Sequence, residues 1–159
     1  MSLAQDTIVW NNRYILGIPV LDKQHRHMVD IANELFAACI ESPDIVSNHF
    51  LENASIAIAR MNYYFIKEEK LMAILYYQGY LHHKREHENF MGEALKQSEE
   101  LKFNKKIIPR SFVYFFRDWL LSHITVSDKV LANYILEMRQ SGRLRQLLEV
   151  RQEGALLTA

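Results

Sequence analysis

Apolar residues recur at helical spacing along four long stretches of this 159-residue chain, and in each stretch a histidine or an acid interrupts the inward line. In the first, Leu21, His25, Met28, Ala32, Leu35 and Cys39 follow the i, i+4, i+7 rule of one buried helix face. The second carries Met61, Phe65, Glu68, Met72 and Leu75, so a carboxylate sits where burial without a partner is costly. Tyr80, His83, His87, Phe90, Ala94 and Leu101 make the third line. The fourth runs Phe112, Phe116, Trp119, His123 and Val126, beside a second stripe of Leu121, Ile124, Asp128, Leu131 and Ile135. Helices patterned in this way must pack face to face and bring their inward polar groups to common partners.

Only five glycines and three prolines punctuate a chain that is 49% hydrophobic, which describes long uninterrupted elements and an all-α fold. Pro19 leads into the first helix. Ser42-Pro43-Asp44 has the cap, proline and acid of a helix start, predicting a second helix from about 44 to 77. Gly79 opens the way to a third helix over about 80–102, and Pro109 to a fourth that stops near Gly142. Short loops between four such helices give an antiparallel up-down-up-down four-helix bundle. Residues 1–18 hold Trp10, Tyr14, Ile15, Leu16 and Ile18, too apolar for a free tail, and predict an arm packed on the body. The expected organisation is a bundle over 1–140 and a tail or short helix over 141–159, with Leu144, Leu147, Leu148 and Val150, of the kind that links to a further domain.

Nineteen basic residues balance nineteen acidic ones, with no basic stripe, so neither nucleic acid nor an anionic membrane is an expected partner. No apolar run of about 20 residues is present to span a bilayer. The single cysteine, Cys39, cannot form an internal disulfide and reads as a small buried apolar residue in a reducing cytoplasm. There is no glycine-rich phosphate loop and no nucleophile in a recognisable motif.

Chemistry therefore rests on the inward polar set: His25, Glu68, His83, His87, His123 and Asp128. His83 and His87, four residues apart on a helix, form a bidentate clamp. Four imidazoles and two carboxylates exceed the needs of one ion and suit two iron or manganese ions bridged by the carboxylates. The absence of cysteine from the set argues against a structural zinc site. His123 and Asp128 are five residues apart, about 140° round an ideal helix, a splay that a residue bridging two metals can tolerate and that a local π-bulge would reduce. His27, His49 and His82 fall off the inward lines and are expected to face solvent. Glu69 points off the Glu68 line, as a surface acid or an acid behind the ligands.

These residues also carry a resemblance. Trp10, Gly17-Ile18 and Asp22-Lys23-Gln24-His25, then Phe65-Ile66-Lys67-Glu68-Glu69 and Met72, then His83 and His87-Glu88-Asn89-Phe90, then Trp119, His123-Ile124 and Asp128 together resemble the bacterial hemerythrins over roughly residues 8–135. The resemblance implies two non-haem iron ions, oxo- or hydroxo-bridged when oxidised, and O2 or a related small ligand. It implies His83, His87 and His123 on the first iron, Glu68 and Asp128 as bridges, His25 on the second, and a dry ligand pocket of Met28, Phe65, Trp119, Leu120 and Ile124. One position departs from the family pattern: Tyr64 stands where a second histidine of the second iron is expected. Three readings stay open there: a ligating phenolate, which would add a phenolate-to-iron visible band and oppose reversible O2 binding, a hydroxyl that does not ligate, and a side chain that simply packs in the core. The implied function is an O2 or redox-responsive binding or sensing module, with a downstream signalling domain or partner. The alternatives are a diiron oxidase or peroxidase, and a degenerate metal-binding bundle used only for interaction.

Overall fold

The computed structural model describes residues 6–40, 42–103 and 107–158, with side chains through 152. Among them every regular element is helical: α1 Pro19–Ile40, α2 Asn48–Ile74, α3 Tyr80–Phe103, α4 Pro109–His123, α5 Lys129–Gln140 and α6 Arg143–Thr158. A π-helical segment, Ile124–Asp128, joins α4 to α5, so the two form one continuous fourth rod. α1 packs on α2 and α4, α2 on α3, and α3 on α4, which closes the ring of an antiparallel up-down-up-down bundle.

The helix ends follow local chemistry, with one correction. α2 starts at Asn48 rather than near residue 44, because Ser47 is its N-cap and accepts from the Phe50 N–H at 3.1 Å. The Pro43-Asp44 turn serves another helix: Pro43 O accepts from Arg110 N at 2.9 Å, and the Asp44 carboxylate pairs with the Arg110 guanidinium at the start of α4. At the other end, Tyr76 takes a left-handed conformation (φ 50°), with Tyr76 N–H bonded to Ala73 O and Tyr77 N–H to Met72 O. That is a Schellman stop built on a non-glycine residue. Gly142 (φ +77°) ends the fourth rod at its expected place, and the tail continues as α6. Of the α3–α4 connection, 104–106 lie outside the described residues.

The N-terminal arm packs on the bundle through buried Ile8, Tyr14, Leu16 and Ile18, while Ile15 faces solvent. The Ile8 backbone exchanges two hydrogen bonds with the Asn33 amide (2.8 and 2.9 Å), and the Asp22 carboxylate accepts from Leu16 N and Gly17 N. Two apolar clusters fill the bundle. One holds Met28, Phe65, Leu120 and Ile124 among others; the second holds Leu21, Met72 and Leu131. His25 falls between Leu21 and Met28, Glu68 between Phe65 and Met72, and Asp128 between Ile124 and Leu131. The polar residues thus form a layer sandwiched between two dry ones. Among the described residues, no helix is long and apolar enough to cross a membrane.

Candidate metal centre

Each helix contributes to the polar layer from a position its sequence pattern already turns inward. His25 (α1), Glu68 (α2), His83 and His87 (α3), His123 (α4) and Asp128 (π segment) are all buried, none more than 5% exposed. The π turn is what admits the last of them. By taking in one extra residue it lets His123 and Asp128 face one way across five positions, a step an α-helix makes in four. Its sequence mark is Thr125, whose hydroxyl donates to Leu121 O at 2.7 Å. The same turn ejects Val126, 60% exposed, which the uninterrupted α period had placed on the inward stripe.

The donor atoms converge on two points. His123 Nε2 lies 3.0 Å from both His83 Nε2 and His87 Nε2, with Glu68 Oε1 2.7 Å from His83 Nε2. On the other side, His25 Nε2 is 3.0 Å from Asp128 Oδ2 and 3.9 Å from Glu68 Oε2, while Asp128 Oδ1 stands 3.1 Å from both His83 and His123. Two groups of candidate ligands result, Glu68-His83-His87-His123 and His25-Glu68-Asp128, sharing Glu68.

These contacts are too many to be satisfied together as hydrogen bonds. His123 Nε2 carries either one proton or one lone pair, so it cannot satisfy two imidazole nitrogens at once. His25 Nε2, Glu68 Oε1 and both Asp128 oxygens are fully buried, within reach of polar neighbours, and still without an aligned hydrogen bond. Orphans of this kind cost about 1–3 kcal/mol each. Lone pairs aimed at shared points fit cations between them, and the N/O donor set suits iron.

Behind the ligands stand two acids. His87 Nδ1–H donates to Glu69 Oε1 at 3.1 Å, and Lys84 Nζ donates to Glu69 Oε2 at 2.9 Å. Glu86 Oε2 lies 3.3 Å from His123 Nδ1. A carboxylate can only accept, so the His87 imidazole keeps its proton on Nδ1 and turns the Nε2 lone pair inward, whereas Glu86 Oε2 makes no aligned hydrogen bond and faces the outer nitrogen of His123 as a charge. Glu69 is therefore the acid behind a ligand. Glu86 was not singled out by the sequence pattern; the signal it gives is its place between His83 and His87, one turn before Phe90. Phe65 stacks on the His87 ring (centroids 4.0 Å) and Trp119 on that of His123 (4.4 Å), fixing both rings.

Charge follows the same geometry. Burial would lower the imidazole pKa values, but the Asp128 and Glu68 carboxylates outweigh it, raising His25 to about 9 and His83 to about 10. His123 rises to about 9, with burial opposed by Asp128, Glu86 and Glu68. Burial and the neighbouring Asp128 push Glu68 up, yet the three histidines around it bring it down to about 2, and Asp128 is held well below the usual carboxylate range in the same way.

Of the residues expected around a ligand, Met28, Phe65, Leu120 and Ile124 are buried together in one apolar cluster, with Trp119 packed against it. Tyr64 is not brought to the cluster by any close contact of its hydroxyl; that group lies 2.8 Å from His27 Nδ1. His27, expected in solvent, is half-buried by this pairing. His49 and His82 are exposed, and Cys39 is buried and free.

Residues 16–135 match the hemerythrin HHE cation binding domain. The chain is 25% identical over 150 residues to a bacteriohemerythrin of Stenotrophomonas maltophilia, covering 94% of this chain and 92% of that protein. It is 29% identical over 123 residues to a hemerythrin of Sipunculus nudus, covering 77% and 89%. A crystal structure of wild-type hemerythrin superposes with a TM-score of 0.69 at 22% identity, covering 79% of this chain and 95% of the other.

Proposed function

This chain belongs to the hemerythrin family, whose members bind metal and O2, and on that footing we propose that it is a non-haem diiron protein that binds or senses O2 or redox state. One iron is held by His83, His87 and His123 with Glu68 and Asp128, and the other by His25 with the same two carboxylates. The carrying observation is the set of buried, unaligned donors, His25 Nε2, Glu68 Oε1 and both Asp128 oxygens, lying between the two ligand groups. When bound, the iron pair would supply electrons to a small ligand. The protein's own part is orientation and exclusion of water. Glu69 holds the proton of His87 on its outer nitrogen, and the Glu86 carboxylate faces the outer nitrogen of His123. Phe65 and Trp119 lock the rings, and Met28, Leu120 and Ile124 keep the ligand's surroundings dry.

Elemental analysis of protein made with ample iron is expected to give about two irons per chain; a chain that takes up none overturns the reading. A diiron oxidase or peroxidase is the second reading, favoured by the smaller donor group at His25, which leaves that ion more open. Sustained peroxide consumption by the iron-loaded protein would select it. Residues 1–140 are proposed as the functional bundle and 141–159 as a connection to a signalling partner, since among the described side chains α6 meets the core through half-buried Leu144 and Leu147. A cytoplasmic setting accords with the free, buried thiol of Cys39.

A further inference from the structure

The two ligand groups are unequal. Three nitrogens and a shared carboxylate make up one, whereas the other has a single nitrogen, His25, with Glu68 and Asp128. Two further side chains of ligand type stand next to the poorer group in sequence, and each is turned to the other. Tyr64 lies one helical turn before Glu68 on α2. His27 is two residues past His25, about 200° round α1, so it faces away from the side that buries His25. The Tyr64 hydroxyl meets His27 Nδ1 at 2.8 Å, with the rings tilted at 49° and their centroids 5.8 Å apart. Tyr63 packs edge-on against Tyr64 at 5.3 Å, under the Lys67 ammonium. The phenol is thereby drawn to the outer seam between α1 and α2.

Resting on the diiron reading above, we propose that His27 is a positioning residue that holds the Tyr64 hydroxyl out of the metal centre, leaving the His25 position with three protein donors and a readily lost ion. The contact engages the hydroxyl in either tautomer of the His27 ring. To ligate, the phenol must break this hydrogen bond, swing inward and give up its proton. The oxygen-rich group also binds divalent first-row ions less strongly than the imidazole-rich one.

The test is anaerobic titration of the metal-free protein with Fe(II), followed by the visible spectrum after oxidation. Wild type and Tyr64→Phe should both show two classes of site about 10–100-fold apart, the scale on which metal sites respond to a single supporting group. Neither should show a phenolate-to-iron band. His27→Phe, which removes the acceptor, should tighten the weaker site and gain that band, and the His27→Phe/Tyr64→Phe double variant should lose it again. A band in the wild type that Tyr64→Phe abolishes overturns the proposal, as does a pair of sites of equal affinity or a folded His27→Phe protein without the band. Wild type and Tyr64→Phe decide the case even where His27→Phe fails to fold. A chain that binds no iron overturns the diiron reading together with this one, whereas two equal sites overturn this one alone.

Discussion

Glu86 contributes nothing to the ligand count, yet its charge favours a proton on the outer nitrogen of His123. Its Oε2 stands 3.3 Å from His123 Nδ1, and that imidazole in turn holds the Glu86 carboxyl down to about 2. Replacing it with glutamine keeps the size and removes the charge, so the other tautomer becomes available. Glu86→Gln should weaken iron binding by about 10–100-fold, read by competition with a coloured chelator, while helix content by circular dichroism stays unchanged. Unaltered affinity would mean that His123 is oriented by its stack on Trp119 and its burial alone.

Among the elements, the π segment decides whether a site can form on the fourth rod. Because five residues there do the work of four, removing one from an exposed position should restore a plain α-helix and keep His123 and Asp128 on one face. Deleting Val126 is expected to leave iron stoichiometry intact. Inserting an alanine after Val126 turns Asp128 by about 100° more and should abolish binding at both positions. Loss of iron in the deletion variant would show that the shape of the π turn itself, and not only its register, is required. The α2 stop poses a different problem, since Tyr76 adopts φ 50°, a region that glycine enters without steric cost. Tyr76 is exposed, so little packing is lost on changing it. Tyr76→Gly should raise stability by about 0.5–1 kcal/mol in urea unfolding, and a decrease would show that the tyrosine ring contributes more than its conformation costs.

For the molecule as a whole, the polar layer couples metal, protons and stability. Without metal, the raised imidazoles of His25, His83 and His123 stabilise the fold fully below their unfolded value of 6.5, and this is lost as pH climbs through about 9 to 10. The depressed Glu68 contributes above its unfolded value of 4.5, and that contribution fades as pH falls toward about 2. Metal-free protein should therefore be most stable between about 4.5 and 6.5. Iron requires neutral imidazoles, so its binding releases protons and strengthens as pH rises over the range in which the metal-free fold weakens. The melting-temperature gap between loaded and metal-free protein should widen from pH 6.5 to 9; a constant gap would mean that the histidines are not exchanging protons for metal. Among the described side chains, ending the chain after Gly142 removes the contacts of Leu144 and Leu147 with the core. Iron stoichiometry and spectrum should be unchanged, at a cost of about 1–3 kcal/mol for two half-buried leucines. Failure of the shortened chain to hold iron would place α6 within the functional unit.

Helical period and the scarcity of glycine and proline are local properties, and they suffice to specify the bundle, its four rods and the inward side of each. The same period exposes His25, Glu68, His83, His87, His123 and Asp128, because a polar residue on an apolar line is visible without knowing its partner. The five-residue gap between His123 and Asp128 left room for a π turn, beside a splay that a bridging residue could tolerate. Which residue that turn would expel was not written locally, so Val126 followed the ideal period onto the wrong face. Ser42-Pro43-Asp44 has every local mark of a helix start, but Asp44 is taken by Arg110, 66 residues away, and Ser47 caps α2 instead. Glu86 on His123 and Tyr64 on His27 are likewise contacts between different helices. The direction of a side chain is set by its own helix, whereas its partner is set by the rotation and offset of two helices packed together, and only the tertiary structure fixes those.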